Sequence, residues 1–202
     1  VKAALALLAA TALSGCAPTN MSGPAPANPQ DAFFADLSAR CGQAYAGKLA
    51  SNQDADADMR GKAMVMHIRS CMPDRIEIPF HIDGVGPDGG WDRSRTWIIT
   101  RTATGLRLKH DHRHADGSKD ELTLYGGDTT DRGTAMRQTF PVDAESIALF
   151  TRTGRSVSNT NIWSVETTAD SFTYGLSRAG RDFRVTFDYR QPVAPPPAPW
   201  GW

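Results

Sequence analysis

Residues 106–114 read LRLKHDHRH, with histidines at positions 110, 112 and 114. Imidazole ligates transition metals and, unperturbed, titrates near neutral pH. Three at alternate positions therefore suggest a metal site, a pH-sensitive lining or a polar wall. Side chains alternate between the two faces of a strand, so Leu106, Leu108, His110, His112 and His114 share one face. Arg107, Lys109, Asp111 and Arg113 share the other, which is charged and expected to be wet. The leucine–histidine face is then expected to point inward, apolar at depth and imidazole-lined toward one mouth. His110 with His112, or His112 with His114, can reach one ion; a third histidine four residues on lies about 13 Å along an extended strand. An acid from a neighbouring segment would complete such a site, and Asp116, Asp120 and Glu121 are near in sequence. Zinc or another transition metal is the one cofactor this pattern allows, and none is otherwise predicted. Without a metal, the row is a polar lining bonded to water, carboxylates or carbonyls, and its mouth is expected to gain charge on acidification.

Known histidine motifs fit poorly. The metallo-β-lactamase order is His-x-His-x-Asp-His, whereas here it is His-x-His-x-His-x-Asp. The cupin pattern is matched loosely by Gly105 and Asp116, with the wrong acid. Ser94, Ser118 and Ser146 lie in no G-x-S-x-G elbow. GGWD and YGGD read as glycine turns and lack a phosphate-loop lysine. Trp91 and Trp97 read as core, and Arg93, Arg95 and Arg101 as a solvated face with some capacity to grip an anion. No catalytic residue is assigned.

The amino-terminal residues VKAALALLAATALSGC combine one lysine with an apolar run too short to span a bilayer, which needs about 20 residues. Leu13-Ser14-Gly15-Cys16 resembles the bacterial lipobox. That resemblance implies a signal peptide over residues 1–15 and a mature chain anchored by acylation (palmitate among the acyl groups) of Cys16. Ala17 rather than Asp follows the cysteine, so the resemblance favours an outer-membrane lipoprotein facing the periplasm, with the inner membrane or cell surface as alternatives. In an oxidising compartment Cys41 and Cys71 are expected to form a disulfide rather than remain free thiols or a metal pair. A ring of about 30 residues would contribute roughly 3–4 kcal/mol. The chain has 22 Lys+Arg and 22 Asp+Glu, with no block of one sign, which argues against a nucleic-acid partner.

These groups need a scaffold. Residues 16–29 are small and Pro-rich, a tether; residues 30–190 suffice for one domain; residues 191–202 form a Pro/Trp-rich tail that either docks or stays mobile. Asn28, Pro29 and Asp31 open a helix whose apolar stripe reads Phe33, Phe34, Leu37, Cys41 and Tyr45, ending near Gly47. Period-two segments follow from Met64 onward, among them RTWIITRT, LRLKHDHRH, LTLY, AMRQTF, NIWSVETT, FTYGLS and DFRVTFDY; Glu145–Phe150 is ambiguous. Eight to nine short strands behind one helix predict a mainly β fold. The choice is an antiparallel barrel, lipocalin-like in architecture, or a barrel-like sandwich. Residues 91–128 resemble a group of uncharacterised bacterial secreted proteins and lipoproteins, over most of residues 32–190; the resemblance implies localisation and a compact β domain, without an activity. The functional expectation is a non-enzymatic, lipid-anchored barrel. Either it holds a small apolar ligand between inward rows led by Met66, Ile78, Ile99 and Leu108, or it binds an envelope protein. A metal-binding protein or metal-dependent hydrolase using the histidine strand is the alternative.

Overall fold

The computed structural model describes residues 28–202. The signal-like segment, Cys16 and most of the tether lie outside the described residues. Along the chain come α1 (Pro29–Ser38), β1 (Ala44–Leu49), β2 (Met64–His67), β3 (Ser70–Cys71), β4 (Arg75–Ile82), β5 (Asp92–Thr102), β6 (Gly105–His112), β7 (Tyr125–Asp128), β8 (Arg137–Pro141), α2 (Ala144–Arg152), β9 (Ile162–Thr167), β10 (Ser171–Arg178) and β11 (Arg181–Val193). Short 3-10 turns lie at Asp54–Met59 and Ser156–Ser158.

The sheet order is β7-β6-β5-β4-β2-β1-β11-β10-β9-β8, with β3 pairing β4 alongside β2. All pairings are antiparallel, and the first strand pairs with the last. Treating β2 and β3 as one broken strand, neighbours in the sheet are neighbours in sequence. The result is an up-and-down barrel, nearly closed, as the strand pattern predicts. The remaining seam, between β7 and β8, holds a single bridge, Gly127 to Val142. There the Asp143 N–H donates to Gly126 O at 3.0 Å, and the Gly126 N–H donates to Ser146 Oγ at 2.8 Å. A Cβ on Gly126 would collide with Leu108 O, and one on Gly127 with Pro141 O. Gly127 lets the seam close, and Gly126 lets β7 lie against β6. YGGD is therefore strand β7 and not a turn.

Helix α1 plugs one end of the barrel. The Asn28 side chain accepts from Gln30 N at 3.2 Å, and Phe33, Phe34 and Leu37 are buried in the common core. Gln30 reaches Thr129 and Asp131 O across the barrel end, and Arg101 pairs with Asp31 and lies over the Phe34 ring. The helix is shorter than its apolar stripe suggests. It ends at Ser38, Gly42 sits at φ 82°, Cys41 falls in the turn and Tyr45 is on β1. Glycine tolerates that left-handed backbone, and the chain reverses there. Cys41 and Cys71 are disulfide-bonded, with Cα atoms 6.1 Å apart, which staples this turn to β3.

One further sequence expectation changes, and two open ones are resolved. Glu145–Phe150 belongs to α2, capped by Asp143, whose carboxylate accepts from Ser146 N at 2.8 Å. Of LTLY only Tyr125 is on a strand, because Leu124 adopts φ 57° and breaks the ladder. The tail docks: β11 runs past residue 190 to Val193, and the chain then returns along the outer wall. There Pro197 O accepts from His81 Nε2 at 3.0 Å, Ala198 O accepts from Arg93 at 2.9 Å, and Trp200 N donates to Arg93 O at 3.1 Å.

Met66, Ile78, Ile99 and Leu108 all point inward, as parity requires, but each is fully buried in the cluster that includes Phe33, Phe34 and Leu37. None of the four lines the cavity described below, although they share the buried cluster with residues that do.

Candidate functional site

The long connections at the end opposite α1 are residues 50–63, 113–124 and 142–161, and they surround the mouth of a cavity of about 440 Å³. Its inner wall is aromatic: Phe80, Trp97, Tyr125, Trp163, Tyr174 and Phe183 line it, joined by Phe150 from α2. Trp97 stacks on Tyr174 (centroids 4.3 Å, 11°) and on Phe80 (4.9 Å, 13°). Six of these rings come from β4, β5, β7, β9, β10 and β11, one from each strand. They form a layer above the α1 plug, so the barrel core changes from packed to open along its axis.

The histidine strand passes through this layer. Leu106 and Leu108 lie in the packed half, His110 and His112 line the cavity, and His114 lies beyond the strand end, exposed. His110 is fixed at both nitrogens: Nδ1–H donates to Tyr125 O at 3.0 Å, and Nε2 accepts from Tyr174 OH at 2.7 Å. His112 Nε2 lies 3.1 Å from Tyr125 OH. Burial, with the neighbouring His112, pulls the His110 pKa down to about 3; burial and the Arg95 charge pull His112 down to about 4. Both rings stay neutral at neutral pH, so the expected charging of the mouth on mild acidification does not arise from them. Burial pushes the Tyr125 hydroxyl up to about 12 and raises Tyr174 as well. The cavity interior is thus uncharged.

The proposed metal set does not converge. Both His110 nitrogens are engaged, so a metal there would have to displace Tyr125 O or Tyr174 OH. Asp116 is exposed, and its carboxylate accepts from Ser118 N and Oγ at 2.9 and 2.7 Å. No group of three His, Cys, Asp or Glu side chains among the described residues is arranged to hold a metal ion. The acid that reaches the cavity is Asp120, which also lies 3.9 Å from His114 Nδ1. The outer face also departs from expectation: Asp111 is buried, held by Thr123 Oγ1 at 3.0 Å and Arg113 at 3.0 Å under the 113–124 loop.

Charge collects at the rim. Arg95, Arg155, Arg178 and Arg181 line the cavity against the single carboxylate of Asp120. Arg95 is neutralised by Asp92, and Arg181 by the buried Asp56. Burial opposes charge on Asp92, but Arg95 and Ser94 outweigh it and hold its carboxyl below the usual range. Arg178 donates to Asn161 Oδ1 at 3.0 Å, a neutral partner, and Arg155 makes no ion pair among the described residues. Of the arginines read from sequence, Arg95 is at this rim, Arg93 lies under Trp200, and Arg101 sits at the plugged end. The aromatic layer was within reach of parity, since Phe172, Tyr174 and Leu176 share one face of FTYGLS. Arg155 sits on a loop, whose placement depends on the closed topology and carries no local signal. Neither family models nor curated protein sequences match this chain.

Proposed function

We propose that this protein is a non-enzymatic barrel that holds one small, apolar-bodied molecule in the cavity above its aromatic layer. The observation that carries this reading is a cavity of about 440 Å³, lined by seven aromatic rings and ringed by polar side chains. Its size falls within the roughly 300–1,000 Å³ of ligand pockets, which are apolar with a few placed polar groups. Holding is favoured over turnover because a general base at neutral pH needs a pKa near 7, whereas His110 and His112 are held at about 3 and 4. The lipobox-like Leu13–Cys16 segment supports a lipid-anchored setting at the outer membrane, with the barrel in the periplasm.

Titration with naphthylmethanol, a neutral flat probe, tests the reading. We expect one saturable site per chain. Leu176→Trp, which places an indole in the mouth, is expected to weaken binding by about tenfold or more, with the far-ultraviolet circular dichroism unchanged. An unsaturable response, or equal binding by a folded Leu176→Trp variant, would contradict it.

A further inference from the structure

The cavity separates its chemistry by depth. Inside, His110, His112, Tyr125 and Tyr174 are linked by hydrogen bonds, and much of the remaining surface is aromatic ring. At the rim stand two arginines that no carboxylate of the described residues pairs, Arg155 and Arg178, against one acid, Asp120. Asp120 is partly engaged, accepting from Leu122 N at 2.7 Å. Arginine presents a rigid fork of donors suited to a carboxylate or similar planar anion, and such charge-assisted bonds are stronger than neutral ones. Arg178 is oriented by Asn161, whose Oδ1 takes one of its N–H groups and leaves the others available. Asn161 is itself buried and bonded through its backbone to Ser158 and Val142, so the arginine sits on a fixed support.

We infer that the cavity takes a flat apolar molecule bearing one anionic group, the body against the aromatic layer and the anion at Arg155 and Arg178. This rests on the small-ligand reading and adds the chemical class of the ligand. An anion placed deeper would meet neutral histidine, tyrosine and aromatic side chains, and burying an unpaired charge there is costly. A cation at the rim would face two unpaired arginines against the one carboxylate of Asp120. The orientation is therefore fixed: rings first, anion outward.

The experiment compares naphthoate with naphthylmethanol, which share a ring system and differ in charge, by calorimetry on the intact domain. Naphthoate is expected to bind about tenfold more tightly, the size of one charge-assisted contact. The preference should shrink in molar salt, where the screening length falls to about 3 Å. In the double variant Arg155→Gln, Arg178→Gln the preference should fall to near unity while naphthylmethanol binding is retained. Arg190→Gln, on an exposed pair with Asp188 away from the mouth, should leave it intact. Equal or tighter binding of the neutral probe by the native chain overturns the anion inference and leaves the small-ligand reading standing. A preference that survives the double variant overturns the assignment to these arginines. If neither probe binds, the small-ligand reading falls and this inference with it.

Discussion

His110 shows how one side chain acquires its state from its surroundings. Its ring is closed in by Tyr125, Trp163 and Tyr174, and both nitrogens are bonded. His81, on the outer wall, is buried beneath the tail and pulled down to about 4, chiefly by burial. Three histidines are therefore neutral in the folded chain and titrate near 6.5 when unfolded. Between those values the unfolded state binds more protons, so stability falls as pH drops from about 6.5 toward 4. Carboxylates such as Asp92 add their losses only below about 4. We expect denaturant midpoints to decline through that upper window, and the His110 and His112 ring resonances to stay flat between pH 5 and 8. Titration of both rings near pH 6.5 would contradict the burial. Strand parity made this row legible, because four residues of β6 alternate without a bulge. The same parity failed for Asp111, since a loop covers its outward face and no local pattern announces such cover.

At the scale of elements, the seam between β7 and β8 is the least regular part of the wall. Its closure relies on Gly127, where any Cβ strikes Pro141 O of the facing segment. Gly127→Val should force β7 from β8 and cost about 3 kcal/mol or more, beyond an ordinary overpacking penalty. Chemical denaturation measures this, and a loss below about 1 kcal/mol would contradict a glycine-dependent seam. Reading YGGD as a turn missed it, because glycine marks both turns and close strand approach. Helix α1 was half legible. Its cap and its Phe33, Phe34 and Leu37 face follow from sequence, whereas Cys41 and Tyr45 continued the spacing by coincidence. Gly42 was the signal that the helix could not run on. Strand β1, hidden behind that false continuation, then supplies the pairing with β11 that joins the first strand to the last.

Over the whole molecule, a meander barrel places alternate connections at alternate ends, and the two ends differ. One receives short turns and the α1 plug; the other receives the long segments that frame the cavity. Function on loops held by a rigid wall is a common division of labour. The barrel itself was legible from short alternating strands. The position of its opening was not, since it depends on which half of the interior α1 fills. Met66, Ile78, Ile99 and Leu108 do not line this cavity, whereas aromatic side chains of the same interior do. The most direct measurement is NMR chemical-shift mapping of naphthylmethanol on the intact domain. The account predicts saturable shifts with one-to-one stoichiometry at His112, Leu122, Tyr125 and Leu176, and none at Met66 or Ile78. Shifts confined to the outer wall, or none that saturate, would contradict it.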